Sequence, residues 1–258
     1  PDTITTRPLA RVATLRLRHV YGAFMAADFR LPRVFDAAAG ARARHAHLFA
    51  HVPDATRPAA IGAAIGAVWH PAVPPELSDT AYRVALSAFP FGPNKGHICG
   101  RTTCACGRGD ETVAHVWHEC ERTRRVFEVV LERWRRITGE TRLRASDARL
   151  VLFGDRSHTW ASEAERGAFA GLAEPFAVIH KATQHVVYEE RQRDAAPRPK
   201  PRRTAQQLLQ IAERRVQRVV TLRWGTALAA RHRDGRRRLK RFEKLWVATG
   251  LVHLPHGG

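Results

Sequence analysis

The chain has 258 residues, 44% of them hydrophobic, enough to bury at least one sizeable core. It carries 43 Lys and Arg against 24 Asp and Glu, a formal net charge of +19, and so basic a balance calls for a polyanionic partner, nucleic acid first. No apolar run approaches the roughly 18 residues of a membrane span, so neither a transmembrane helix nor a membrane partner is expected.

No signal-peptide pattern opens the chain. It begins at Pro1 rather than Met, and a piece of a longer polypeptide is expected. Four cysteines are too few for a disulfide framework at this length. Three of them cluster with histidines, which points to a reducing compartment and metal binding.

Ala-rich amphipathic segments dominate and β-branched alternation is scarce, so the expected fold is mainly α, a helical domain organised around a small CCHC zinc knuckle. Apolar residues recur at helical spacing over 9–29, and a second helix, weakened by Gly40, is expected over 36–52. Pro71, Pro74 and Pro75 make a turn, after which a helix capped by Ser78 or Asp79 runs to Phe89. Residues 90–96 read as a loop. Over 121–138 the positions of Val126, Phe127, Val130, Leu131 and Trp134 on one face, with Gly139 as C-cap, specify a helix. Residues 148–155 read as a short strand or extended linker. A long helix follows over 163–193, broken near Pro175. Residues 195–203 alternate proline with cations and form an exposed linker. Thr204 and Gln207 make a capping box that opens a last long helix through Arg231. Four segments are expected: a helical 1–67, a zinc-binding 68–139, a helical extension 140–194, and a basic linker and helical tail 195–258.

The charge is uneven. Residues 195–258 hold sixteen Lys and Arg against three Asp and Glu. The expected phosphate contacts are Arg198, Lys200, Arg202 and Arg203 in the linker, and Arg236, Arg237, Arg238, Lys240 and Arg241 further on, where self-repulsion calls for a counter-charge. The second run also reads as a nuclear-import signal.

Cys104, Cys106, His115 and Cys120 give the spacing C-x-C-x8-H-x4-C. Structural zinc takes four N or S ligands in a tetrahedron, and this set leaves no open position for hydrolytic chemistry. The single residue between Cys104 and Cys106 forces a tight hairpin, and Gly107 and Gly109 let it turn back. A helix capped by Asp110 follows, and His115 and Cys120 share an ion if that helix tightens or ends between them. Cys99 is an alternative to Cys104, and His118 to His115, although His118 is too near Cys120 for easy closure. His45, His47 and His51 lack an accompanying cysteine or carboxylate and read as surface histidines. The six tryptophans read as core anchors, with base stacking open to Trp224 and Trp246 in the basic tail.

The run from Cys104 to Cys120 resembles the zinc-binding segment near the C-terminus of non-LTR, LINE-type retrotransposon reverse transcriptases. Cys104, Cys106, Gly107, Glu111, Thr112, His115, Val116 and Cys120 follow that pattern in order. Around it, Val68, Trp69, the Val73-Pro74 pair and Tyr82-Arg83 resemble the upstream flank, and 120–134 the helix after the last ligand. The resemblance covers 68–134. It implies a C-terminal piece of an RNA-directed DNA polymerase that holds RNA template or target DNA. It also implies an upstream reverse transcriptase domain in the same polypeptide, and nuclear location with a cytoplasmic ribonucleoprotein phase. The paired aspartates of a polymerase site are missing, so no catalytic residue is expected here. A restriction-like nuclease would have only Asp155, Glu163, Glu165 and Lys181 to draw on. The alternative from another class is a stand-alone zinc-dependent module that binds nucleic acid or protein.

Overall fold

The computed structural model describes residues 45–86, 103–194, 201–229 and 233–247. The helix expected over 9–29, the loop 90–96 and most of the linker lie outside them. Among the described residues the chain is mainly helical, and its only β pairing is an isolated antiparallel bridge between Thr103 and Asp110.

A 3₁₀ turn, Ala46–Phe49, leads into α1, Arg57–Gly66. Arg57 donates from its guanidinium to the carbonyls of Phe49, Ala50 and Val52 at 3.0–3.2 Å, satisfying acceptors the short turn leaves open. Helix α1 is Ala- and Gly-rich and lies in the segment expected to be helical, without bounds of its own in the sequence reading. Ile61 and Ala64 are its buried residues.

Helix α2, Pro75–Ala85, begins three residues before the expected Ser78. Pro75 opens it, where a fixed φ favours the helix and a missing N–H costs nothing. Helix α3, Glu121–Thr138, matches its expectation: Val126, Phe127, Val130, Leu131 and Trp134 are buried, and Gly139 closes it with φ +78°.

The segment expected as a strand is α4, Ala148–Phe153. Asp147 accepts from the Leu150 N–H at 3.1 Å and caps its start, and Gly154 ends it at φ +71°. A Cβ on Gly154 would also meet His180 Nδ1 at 3.0 Å, so the position excludes a side chain twice over. Helix α5 is Glu163–Ala170 and α6 is Ala173–Asp194. The break falls at Gly171–Leu172, before Pro175, which sits in the first turn of α6 where no N–H partner is needed. Helix α7, Ala205–Ala229, opens on the expected capping box. The Thr204 hydroxyl accepts from the Gln207 N–H at 3.2 Å, and the Gln207 amide oxygen accepts from the Thr204 N–H at 2.8 Å. Helix α8, Arg233–Phe242, runs on into a π turn, Glu243–Val247.

The main core joins Phe127, Leu131 and Trp134 of α3, Leu150–Phe153 of α4, Phe176, Val186 and Val187 of α6, and Leu208 and Ala212 of α7. A second core joins Leu77, Val178, Ala182, Val219, Val220, Phe242 and Trp246. Both draw on residues either side of the boundaries expected at 139 and 194. Helix α6 contributes to both and is largely buried, including the polar residues His180, Lys181, Thr183, Gln184, Glu190, Arg191 and Asp194, while Gln192 is exposed. His180 and Gln184 donate to the Val151 carbonyl at 3.1 and 2.8 Å, capping α4 from outside. At the end of α3, Glu140 accepts from Trp134 Nε1 (2.8 Å), Trp160 Nε1 (2.9 Å) and Arg156 (2.6 Å), a buried pair whose partners are complete.

Lys181 is the exception on α6. It is 2% exposed, and its Nζ reaches one acceptor, the Ala67 carbonyl, at 3.4 Å. Burial pushes its ammonium from 10.5 down to about 7. The unfolded chain therefore holds a proton between those pH values that the folded chain sheds, so stability from this group rises with pH from about 7 to 10.5. Lys181→Met is expected to raise the unfolding free energy by a few kcal/mol below pH 7, with the gain shrinking to nothing as the pH passes 10.5. Urea denaturation of both proteins across that range checks this, and a pH-independent difference would refute it.

Candidate metal centre

The centre is built by a hairpin, a turn and one distant helix. The Thr103–Asp110 bridge closes the hairpin, with the Cys104 N–H donating to the Gly109 carbonyl at 2.8 Å. Inside it, the Gly107 N–H donates to the Cys104 carbonyl at 2.9 Å and Gly107 takes φ +76°. The Arg108 N–H points at Cys106 Sγ, 3.4 Å away. Gly109 passes close under the imidazole: a Cβ there would lie 3.3 Å from His115 Nδ1.

Asp110, expected as the helix cap, is used in the bridge instead. The cap is Thr112, whose hydroxyl accepts from the His115 N–H at 3.1 Å. The following turn, His115–Glu119, is a π turn: the Cys120 N–H donates to the His115 carbonyl at 2.6 Å, five residues back. Of the two expected routes, tightening or ending between the ligands, the helix takes the second: it widens into a π turn and ends at Glu119, with Cys120 extended. At about 100° per residue an α-helix would leave residues five apart on different faces, and the i→i+5 bond brings Cys120 back beneath His115. Val116 and Trp117 on the same turn are fully buried and anchor it in the main core.

Cys104, Cys106, His115 and Cys120 bring their donor atoms within 4.8 Å of one another. Cys104 Sγ and Cys120 Sγ are 3.9 Å apart, and Cys106 Sγ is 3.1 Å from His115 Nε2. A tetrahedron with metal–sulfur bonds near 2.3 Å has an edge of about 3.8 Å, so these four can hold a metal ion. The Glu119 carboxylate lies 3.6 Å from His115 Nδ1, on the side that leaves Nε2 as the donor. His118 is directed elsewhere and donates to the Ser146 carbonyl at 2.8 Å. Cys99 lies outside the described residues. Among those residues no second group of His, Cys, Asp and Glu gathers as a metal site. His45 is buried on the Ala85 carbonyl at 2.8 Å, and His51 accepts from Arg149 at 2.6 Å.

The residue that sequence reasoning missed is Arg191 of α6. Its Nη1 donates to Cys104 Sγ at 2.9 Å, and its Nη2 to Cys120 Sγ at 2.7 Å and to Thr123 Oγ1 at 3.3 Å. The hydrogen bond from Cys104 holds the Cys120 thiol down to about 3 against burial, with Arg191 adding to the effect, and the same bond pushes Cys104 up. Burial disfavours the Arg191 charge, but the two sulfurs keep it raised. A cation in the charged run that ends α6 carries no sequence signal for this role.

Arg198 and Lys200 lie outside the described residues. Arg202 lies 3.6 Å from Asp194, and Arg203 donates its backbone N–H to Glu190 at 3.0 Å. Arg241 reaches Glu174 at 3.3 Å. Arg236, Arg237 and Lys240 are exposed on α8, to which Arg238 also belongs. An open groove along α6 and α7, lined by Arg203, Gln207, Gln210, Arg214, Arg215 and Arg218, adds basic residues not foreseen. Trp224 and Trp246 pack on Phe242 in the second core, with Trp246 fully buried. Asp155 is taken by Arg149 and Ser157, while Glu165 accepts the Ala161 N–H at 2.6 Å. Glu163 lies 3.2 Å from Arg166, so the three acids and the lysine named for a nuclease have separate local partners.

No family model, curated protein or solved structure matches the chain.

Replacing Thr112 by Val removes the acceptor for the His115 N–H while keeping the shape. A loss of about 1 kcal/mol is expected in chemical denaturation, and an unchanged midpoint would show that Thr112 is not the cap.

Proposed function

We propose that Cys104, Cys106, His115 and Cys120 hold a structural Zn²⁺. In this reading the chain is a C-terminal part of a LINE-type reverse transcriptase that holds RNA template or target DNA for a polymerase domain upstream in the same polypeptide. The observation that carries the reading is the convergence of three thiols and one imidazole within 4.8 Å. Thiolate donors favour zinc over oxygen-seeking cations, and four protein ligands leave no position for a substrate or reactive water. The ion supplies Lewis-acid charge that fixes the hairpin and the π turn against α3 and α6. The chain's own residues do the rest. Thr112 sets the start of the turn, Gly109 makes room for the imidazole, and Val116 and Trp117 seat the turn in the core.

The nucleic-acid half of the reading rests on charge and on the resemblance of residues 68–134. The net charge of +19 needs counter-charge. Arg236, Arg237 and Lys240 on α8, and Arg214 and Arg218 on α7, are exposed and fit phosphate contacts without base readout. Arg202, Arg203 and Arg241 are each within reach of an acid and contribute less. Nuclear location follows from the same reading. A stand-alone zinc-dependent module that binds a protein is the second reading, favoured by Leu222 and Leu228, which are 62% and 54% exposed on α7.

Purified chain is expected to contain one zinc. Cys106→Ser and His115→Ala should each lose it, and chelation of the wild type should lower its melting temperature. A chain whose thermal unfolding ignores both zinc and chelator would refute the centre. Affinity for RNA or DNA should fall steeply with salt, and each of Arg236→Gln, Arg237→Gln and Lys240→Gln should reduce the slope of log K against log salt by about 1. Substitution is the right tool because deleting this region would strip Val219, Val220, Phe242 and Trp246 from the second core. Binding indifferent to salt would sink the phosphate contacts.

A further inference from the structure

We propose that Arg191 is the counter-ion and positioning residue of the metal centre. Its two Nη atoms hold Cys104 and Cys120, so that Cys106 is the sulfur through which the centre is attacked. The inference rests on the metal-centre reading above.

A buried guanidinium needs a counter-charge, and Arg191 is only 4% exposed. The carboxylates next to it on α6 are committed elsewhere. Glu190 faces Arg193 and Arg203 at 3.4 and 3.5 Å, and Asp194 meets Arg122 at 2.5 Å. Among the described residues no carboxylate forms an ion pair with Arg191 itself. Its charge is met by sulfur: Cys104 Sγ at 2.9 Å and Cys120 Sγ at 2.7 Å, on the two opposite arms of the centre.

The charges balance as a unit. A divalent ion with three thiolates and a neutral imidazole carries one net negative charge, and the Arg191 guanidinium carries one positive. Neither is supportable alone in the apolar surroundings of Val116, Trp117 and Phe127. The planar fork matters as well as the charge, because its two Nη atoms reach two different sulfurs while Thr123 Oγ1 steadies one of them.

The arrangement is also asymmetric. Cys104 and Cys120 are 2% and 0% exposed and carry the guanidinium donors, which draw off thiolate electron density. Cys106 is partly exposed; among the described residues no guanidinium reaches it, and its sulfur meets the Arg108 N–H at 3.4 Å and the His115 imidazole at 3.1 Å. An alkylating electrophile such as iodoacetamide therefore meets Cys106 first. There the thiolate forms the S–C bond, iodide leaves with the C–I electron pair, and the metal loses that ligand.

The test uses the full chain as wild type, Arg191→Lys and Arg191→Gln. Zinc affinity is measured by chelator competition, the thiolate-to-metal absorption of the Co²⁺-loaded protein is recorded, and brief iodoacetamide labelling of the zinc-loaded chain is mapped by peptide. Arg191→Gln should bind zinc about 10- to 100-fold more weakly, with a shifted charge-transfer band and with Cys104 and Cys120 labelled faster than in the wild type. Arg191→Lys should fall between. In the wild type Cys106 should be labelled first. Unchanged affinity and spectrum in Arg191→Gln would overturn the inference while leaving the zinc site standing. Equal labelling of all three sulfurs in the wild type would also overturn it, and this arm holds even if Arg191→Gln does not fold. A wild-type chain that takes up no metal overturns the centre itself and the inference with it.

Discussion

Helix α6 lies largely buried between the two cores, and that constraint organises the molecule. A helix so placed has to find partners for the polar side chains it buries, and on α6 the neighbouring elements supply them. Lys181 reaches the end of α1, and His180 and Gln184 cap α4. Arg191 joins the hairpin to the π turn, while Asp194 holds α3. Glu190 takes the backbone of Arg203 just ahead of α7. The apolar residues of α6 supply two cores without direction, and its polar residues fix which element lies where.

Parts of this were legible in sequence. Helix α3 declares itself by one apolar stripe and a glycine stop, and α7 by the reciprocal pairing of Thr204 with Gln207. These are local signals, and local physics decides them. Helix α4 was misread because its residues are nearly all buried, so no periodicity separates a short helix from a strand. What decides between them is the Asp147 cap and the acceptance of α4's carbonyl groups by side chains some thirty residues away. Helix α1 falls in the segment expected to be helical, but alanine and glycine around Ile61 and Ile65 gave no strong stripe from which to draw its bounds. The break between α5 and α6 was placed at Pro175, whereas Pro175 is harmless in a first turn and the chain bends at Gly171 instead.

The four residues that could hold a metal were legible as a group because thiol and imidazole spacing is itself chemical information. The groups around them were not. Glu119 looks like an ordinary helical acid, and Arg191 lies 71 residues beyond Cys120 in a run of alternating charges. Only the fold turns that cation inward. The reverse holds for the C-terminal charge, which reads as a loose basic tail. In the structure α8 is tied down by Phe242 and Trp246, and Glu174 holds Arg223 and Arg241 beside it. Its arginines are displayed from a fixed platform.

The π turn between His115 and Cys120 has a consequence for how this segment tolerates change in length. Such a turn is an α-helical turn with one residue too many. Removing a residue would restore regular helix hydrogen bonding and leave the imidazole and the last thiol four residues apart, a spacing that an α-helix keeps on one face. Backbone preference and donor geometry are therefore both met by a gap of three residues. The π turn meets the second of them with a gap of four, absorbing the extra residue as a local widening that leaves Cys120 beneath His115.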